Sequence, residues 1–86
     1  MTEDRCLERV QAIVARVAGP ERTPPHAGPD TALGDDGFWL DSIAMLEMLV
    51  ACEEEFGIVF DWQTELTPQA LTTIRSLGHL IRQKAP

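Results

Sequence analysis

The stretch from Phe38 to Phe60, FWLDSIAMLEMLVACEEEFGIVF, constrains this chain more than any other. Asp41 and Ser42 are both of the type that starts helices, because a short side-chain oxygen can accept from the unpaired backbone N–H groups of a first turn. Gly57 supplies the left-handed position that ends the helix, and Ile58 can fold back on its last turn. The predicted helix therefore covers residues 42–56. Steps of about 100° per residue resolve two apolar stripes on it. Met45, Met48, Leu49, Cys52 and Phe56 share one face, which is assigned to the core. Ile43, Leu46 and Val50 fall on roughly the opposite side, flanked by Glu47, Glu53 and Glu54. A surface helix needs only the first stripe. The second asks for a partner.

Two further helices follow from similar signals. Leu7, Val10, Ile13, Val14 and Val17 form one stripe over residues 3–18. Thr2 can cap that helix, Glu3 and Asp4 suit the positive end of its dipole, and Gly19-Pro20 stops it. Near the other end, Thr73 can cap a helix over 74–83 with Ile74, Leu77, Leu80 and Ile81 inward, although Gly78 lowers its propensity by about 1 kcal/mol. Pro68 after Thr67 suits the first position of a short helix over 68–71. Ile58-Val59-Phe60 has strand character but no second strand to pair with, so these residues read as loop anchors. The expected fold is all-α, an up-down bundle of three main helices plus one short helix, with a long first loop. At 86 residues the chain is expected to be one domain, 1–86, with a marginal but workable core.

Charge narrows the function classes. All seven basic residues lie toward the two ends: Arg5, Arg9, Arg16 and Arg22, then Arg75, Arg82 and Lys84. Between Thr23 and Ile74 there are ten acids and no Lys or Arg, and the net charge is −7. Such a field repels nucleic-acid phosphates and anionic membranes and attracts basic protein surfaces; the plainer reading is solubility alone. No apolar run reaches membrane-spanning length, and the start MTEDRCLERV is charged rather than leader-like, so the expected location is the cytoplasm. Cys6 and Cys52 are then best read as two separate reduced thiols, with a disulfide between them as the other option.

Catalysis finds little support. Ser42 lacks the nucleophile-elbow glycines, and the only candidate bases, His26 and His79, have no orienting carboxylate placed by the sequence. Both histidines read as surface residues. Neither histidine nor cysteine occurs at metal-ligand spacing. The expectation is a protein that is not an enzyme and holds no metal.

Asp41-Ser42-Ile43, followed by Leu46-Glu47 and by Glu53-Glu54-Glu55-Phe56-Gly57, resembles the modification-site helix of acyl carrier proteins. The resemblance covers roughly residues 30–82 and is strongest from Leu40 to Gly57. It implies that Ser42 carries a covalent 4′-phosphopantetheine arm, derived from coenzyme A, whose thiol holds acyl groups as thioesters. It implies that Asp41 serves recognition by the phosphopantetheinyl transferase that installs the arm. A phosphodiester at a helix start also meets free N–H groups and the positive dipole end; without the resemblance, Asp41-Ser42 would be an ordinary capping pair. The second stripe gains a role as a docking surface: Ile43, Leu46 and Val50 at its apolar centre, Glu47, Glu53 and Glu54 at its rim. Its partners would be acyl-transferring, condensing or adenylating enzymes with basic surfaces, met by a monomer.

The resemblance also accounts for the loop from Gly19 to Leu40, which is otherwise too long for a compact domain. Carrier proteins have such a first loop, packed across the bundle, and Leu33 matches its inward anchor. Phe38 and Trp39 are unusual there. One or both can plug the core, or Trp39 can stay partly exposed on the partner or cargo surface. Ala44 departs from the family, in which the second residue after the serine is often acidic. Two carrier readings stand: an acyl carrier of fatty-acid, polyketide or related specialised biosynthesis, and a free-standing aminoacyl or peptidyl carrier loaded by an adenylating enzyme. The acidic helix favours the first. The D-S-I form, Ala44 and the bulky Phe38-Trp39 approach keep the second, although peptidyl carriers usually have G-G-x where this chain has Phe38-Trp39-Leu40, so neither subfamily fits fully. A small helical adaptor that never carries an arm is the non-carrier alternative.

Overall fold

Three helices order the chain, α1 (Glu3–Ala18), α2 (Ser42–Phe56) and α3 (Ile74–Lys84), in a computed structural model that describes residues 2–85. The expected domain, 1–86, has its two terminal residues outside the described ones. Thr2 accepts from the Arg5 N–H at 3.2 Å and starts α1. Cys6, Leu7, Val10, Ile13 and Val14 turn the inner stripe of α1 into the core. Gly19 ends it at φ 83°, a conformation that costs glycine little.

Helix α3 begins with a reciprocal pair: the Ser76 N–H donates to Thr73 Oγ1 at 3.1 Å, and the Thr73 N–H donates to Ser76 Oγ at 3.0 Å. Two otherwise orphaned donors are satisfied, which offsets the weak helix propensity of Gly78. That glycine has a packing reason. A Cβ there would stand 2.8 Å from the Leu7 Cδ2, so its absence lets α3 approach α1 closely. Helix α1 packs against both α2 and α3, and the core gathers inward residues from all three.

The first loop closes over this core and is not slack. Leu33 and Phe38 are fully buried in it. The Leu33 N–H donates to the Thr72 carbonyl at 3.0 Å, the Arg75 N–H donates to the Pro29 carbonyl at 2.7 Å, and Ala32 pairs with Thr73 in an isolated antiparallel bridge. Burying Phe38 alone contributes about 2–3 kcal/mol by area.

Two expectations need correction in the second connection. Pro68–Leu71 forms a hydrogen-bonded turn and not a counted helix. Thr67 does start it, with the Leu71 N–H donating to the Thr67 carbonyl at 3.2 Å. Thr72 and Thr73 are then drawn into extended pairing with Ala32 and Leu33, so the turn cannot propagate. Of the triplet after α2, Ile58 and Phe60 are buried anchors but Val59 between them is exposed, as alternation along an extended segment requires.

Cys6 and Cys52 are both free and buried. Burial pushes the Cys52 thiol up to about 12, and burial likewise raises Cys6. Among the described residues, no helix is long and apolar enough to cross a membrane, and no group of His, Cys, Asp or Glu could hold a metal ion.

Candidate functional site

Asp41 and Ser42 divide the start of α2 between them. Asp41, in extended conformation, accepts from the Ala44 N–H through Oδ1 at 2.8 Å, and its carbonyl accepts from the Met45 N–H at 2.8 Å. Asp41 is therefore the cap. Ser42 becomes the first helical residue, exposed, and among the described residues its hydroxyl makes no hydrogen bond. The N–H groups of Ser42 and Ile43 precede the first intrahelical bond and face the open end of the helix.

The approach to this turn is held tightly. The Phe38 N–H donates to the Ala32 carbonyl and the Leu40 N–H to the Leu33 carbonyl, each at 3.0 Å. The Gly37 N–H at 3.0 Å and the Trp39 N–H at 2.9 Å share the Gly34 carbonyl. Gly37 has to be glycine, because a Cβ would run into the Ala32 carbonyl. Phe38 and Leu40 point into the core, and Trp39 between them points out, 60% exposed. To make that reversal Trp39 adopts φ 58°, the one positive φ among the described non-glycine residues. A bulky side chain in that region costs roughly 1–2 kcal/mol. Phe38 thus plugs the core and Trp39 does not.

The second stripe of α2 faces solvent. Ile43 is 70% exposed, Leu46 50% and Val50 41%. Glu47 and Glu54 are exposed beside it. Glu53 differs: it is half-buried, and its Oε2 accepts from the Phe60 N–H at 2.8 Å. Glu53 therefore ties the segment after the helix to the last turn, a role that the spacing of acids along the helix does not reveal.

Three glutamates in the last turn of α2 stand at the negative end of the dipole, where acids are unfavourable. Two are compensated. Glu53 is engaged as described, and Glu55 takes two bonds from the Arg9 guanidinium, at 2.8 and 2.9 Å. Arg9 also stacks over the Phe56 ring with its carbon 4.5 Å from the centroid. The remaining ion pairs of the described residues lie elsewhere: Arg75 with Asp30 and Glu3, Arg82 with Glu3, and Lys84 with Glu65. Asp35, Asp36, Asp41, Glu47 and Glu54 take no part in them, so α2 and the loop before it keep exposed negative charge that no ion pair neutralises.

His79 is exposed and meets Gln83 at 3.2 Å; His26 is exposed. A surface groove lies between α1, α3 and the turn at 67–73, lined by Leu7, Ala70, His79 and Leu80 among others, and no residue of α2 lines it. Another turn went unread in the sequence. Asp61 Oδ1 accepts from the Gln63 and Thr64 N–H groups, and these bonds hold its carboxyl below the usual range. The signal was available, an acid two and three residues before unpaired donors.

An exposed serine hydroxyl at a helix start, beside two open N–H groups, fits a covalently attached phosphodiester. Comparison with known proteins bears on that chemistry. The family profile described as a phosphopantetheine attachment site matches residues 8–83. Searches of curated proteins and of solved structures return no significant match.

Proposed function

The chain belongs to the phosphopantetheine attachment-site family, and from that premise we propose that Ser42 carries the 4′-phosphopantetheine arm and presents acyl intermediates to biosynthetic enzymes. The arm supplies a thiol on which acyl groups are held as thioesters. What supports Ser42 is the division of labour at the start of α2. Asp41 satisfies the Ala44 N–H, which leaves the Ser42 hydroxyl exposed and uncommitted. A serine serving as the cap would have its oxygen engaged and turned toward the helix.

The protein's own residues then have three tasks. Asp41 fixes the first turn and so holds the attachment oxygen in place; a role in recognition by the transferase is added by the family likeness. Ile43, Leu46 and Val50 offer an apolar centre for docking, and Glu47 and Glu54 steer basic partners toward it. Glu53 contributes charge to that rim while anchoring Phe60. Contacts of this kind are small and charge-steered, which suits a protein that visits several enzymes and leaves quickly. Acyl rather than aminoacyl cargo is favoured by the density of acids on α2, and a cytoplasmic location by the free thiols.

Intact mass tests this reading. After incubation with coenzyme A and a broad-specificity phosphopantetheinyl transferase, the protein should gain one phosphopantetheine, and Ser42→Ala should gain none. Folded wild-type protein with no added mass would return the chain to a helical adaptor with Ser42 as a plain helix residue. For the docking surface, Leu46→Ala should slow acyl transfer and Glu47→Lys should slow it most at low salt. Unchanged rates in both would remove the stripe as the partner surface.

A further inference from the structure

Trp39 combines three properties that rarely coincide. Its backbone is in the left-handed region, at φ 58°, where glycine or asparagine would sit with little strain. Its side chain is 60% exposed, so core packing does not offset that strain. Its place is fixed, because Phe38 and Leu40 on either side are buried and the backbone N–H groups of all three donate to carbonyls of Ala32, Leu33 and Gly34. Strained residues held by their surroundings cluster at functional sites, and the inference runs from the outlier to the function.

We propose that Trp39 is an aromatic anchor for the transferase that installs the arm, gripping the chain on the loop side of Ser42. The proposal rests on Ser42 being the attachment point and adds a specificity-determining contact to it. Position favours this partner. Trp39 lies three residues before Ser42, and Ile43 lies one after, so along the chain the serine is flanked by an exposed indole and by the start of the exposed stripe of α2. An enzyme that grips both sides fixes the serine oxygen for reaction. Charge says what that enzyme presents. Asp35, Asp36, Asp41 and Glu47 lie within seven residues of Trp39 or Ser42 along the chain and are exposed, with no Lys or Arg between Thr23 and Ile74. The complementary surface is an apolar socket with a basic rim. Tryptophan on a fixed backbone loses little entropy on docking and is the side chain most enriched at energetic centres of interfaces.

In the reaction so supported, Ser42 Oγ forms a bond to the phosphorus that bears the pantetheine. The bridging P–O bond of coenzyme A breaks, adenosine bisphosphate leaves, and the serine proton passes to a base of the transferase. Trp39 touches none of these atoms. Its effect belongs in binding.

The test compares transfer from coenzyme A by a broad-specificity transferase, as a function of carrier concentration, for wild type, Trp39→Asn, Trp39→Phe and Val59→Asn. Asparagine accepts the left-handed conformation, so Trp39→Asn should melt at the wild-type temperature or higher. Its kcat/KM should fall about tenfold or more, mostly through KM. Trp39→Phe should keep most of the activity. Val59 is equally free of the core but lies beyond the far end of α2, about 22 Å along the helix, and its substitution should change nothing. A Trp39→Asn rate within about twofold of wild type would overturn the anchor while leaving Ser42 as the attachment point. A joint loss of melting temperature and rate would make Trp39 structural and overturn it too. If wild type gains no mass, the attachment reading fails and the anchor with it.

Discussion

The chain contains two serines, and each stands at the start of a helix. Ser76, in the first turn of α3, is half-buried and fully engaged. Its Oγ accepts from the Thr73 N–H at 3.0 Å and lies 2.9 Å from the carbonyls of Ala70 and Thr73 as a donor. Ser42, at the first position of α2, is exposed, with its hydroxyl unengaged because Asp41 does the capping. One serine is used by the fold. The other is left free by it. The contrast shows that a helix start is not itself a site: what matters is whether a neighbour has taken over the structural task. The surroundings differ in the same sense. Around Ser76, the ion pairs of Arg75 with Asp30 and Glu3 neutralise the acids. Around Ser42, a strained tryptophan and unpaired acids stay open to solvent.

The largest effect that would break this contrast comes from beneath the Ser42 loop. Phe38→Ala removes a fully buried ring and should cost about 3–5 kcal/mol, read as a drop in the denaturant midpoint. Arm addition should slow as the loop loosens. Ser76→Ala and Asp41→Ala sharpen the contrast at smaller scale, the first losing the reciprocal bond from the Thr73 N–H and the second the cap of α2, each at about 1 kcal/mol. Arm addition should survive the first and be impaired by the second. If Ser76→Ala impaired it as strongly, the two serines would not be separable.

Electrostatics supply the smaller tests. Arg9→Ala removes the grip on Glu55 and Phe56 at the far end of α2; for partly exposed pairs this amounts to about 1 kcal/mol, less at high salt. It should leave arm addition unchanged. The pH dependence has a stated sign. The Cys52 thiol, raised to about 12 by burial, ionises less readily folded than unfolded. Its contribution is therefore complete below the ordinary thiol value and is lost as pH rises from there toward 12. On the acid side, hydrogen bonds from Arg75 lower Asp30, and bonds from the Asp61 N–H and Lys84 lower Glu65. These add stability above the ordinary carboxylate range that disappears as pH falls below it, and being exposed they should contribute little. Chemical denaturation across the pH range, with thiol labelling of the native protein near pH 8 showing protection of Cys52, checks both limbs.

Much of the fold was legible because its signals are local. Thr2, Thr73 and Gly57 mark helix ends through their own chemistry, and the structure uses each of them. The two-striped pattern of α2 is likewise local, and the exposed positions Ile43, Leu46 and Val50 follow from angle alone. What was not legible depends on distant partners. Which of Asp41 and Ser42 caps α2 turns on how Leu40 enters the core. The outward turn of Trp39 is imposed by Phe38 and Leu40 binding carbonyls of Ala32 and Leu33. Pro68–Leu71 stops at one turn because Thr72 and Thr73 pair with the first loop. Glu53 looks like a rim acid until Phe60 returns its N–H to it.

Residue-resolved mass spectrometry of the protein after incubation with coenzyme A and a phosphopantetheinyl transferase tests the division between the two serines most directly. One phosphopantetheine per chain is predicted, found in every modified fragment on Ser42, with Ser76 unmodified. An arm on Ser76, or a folded protein that takes no arm at all, would contradict it.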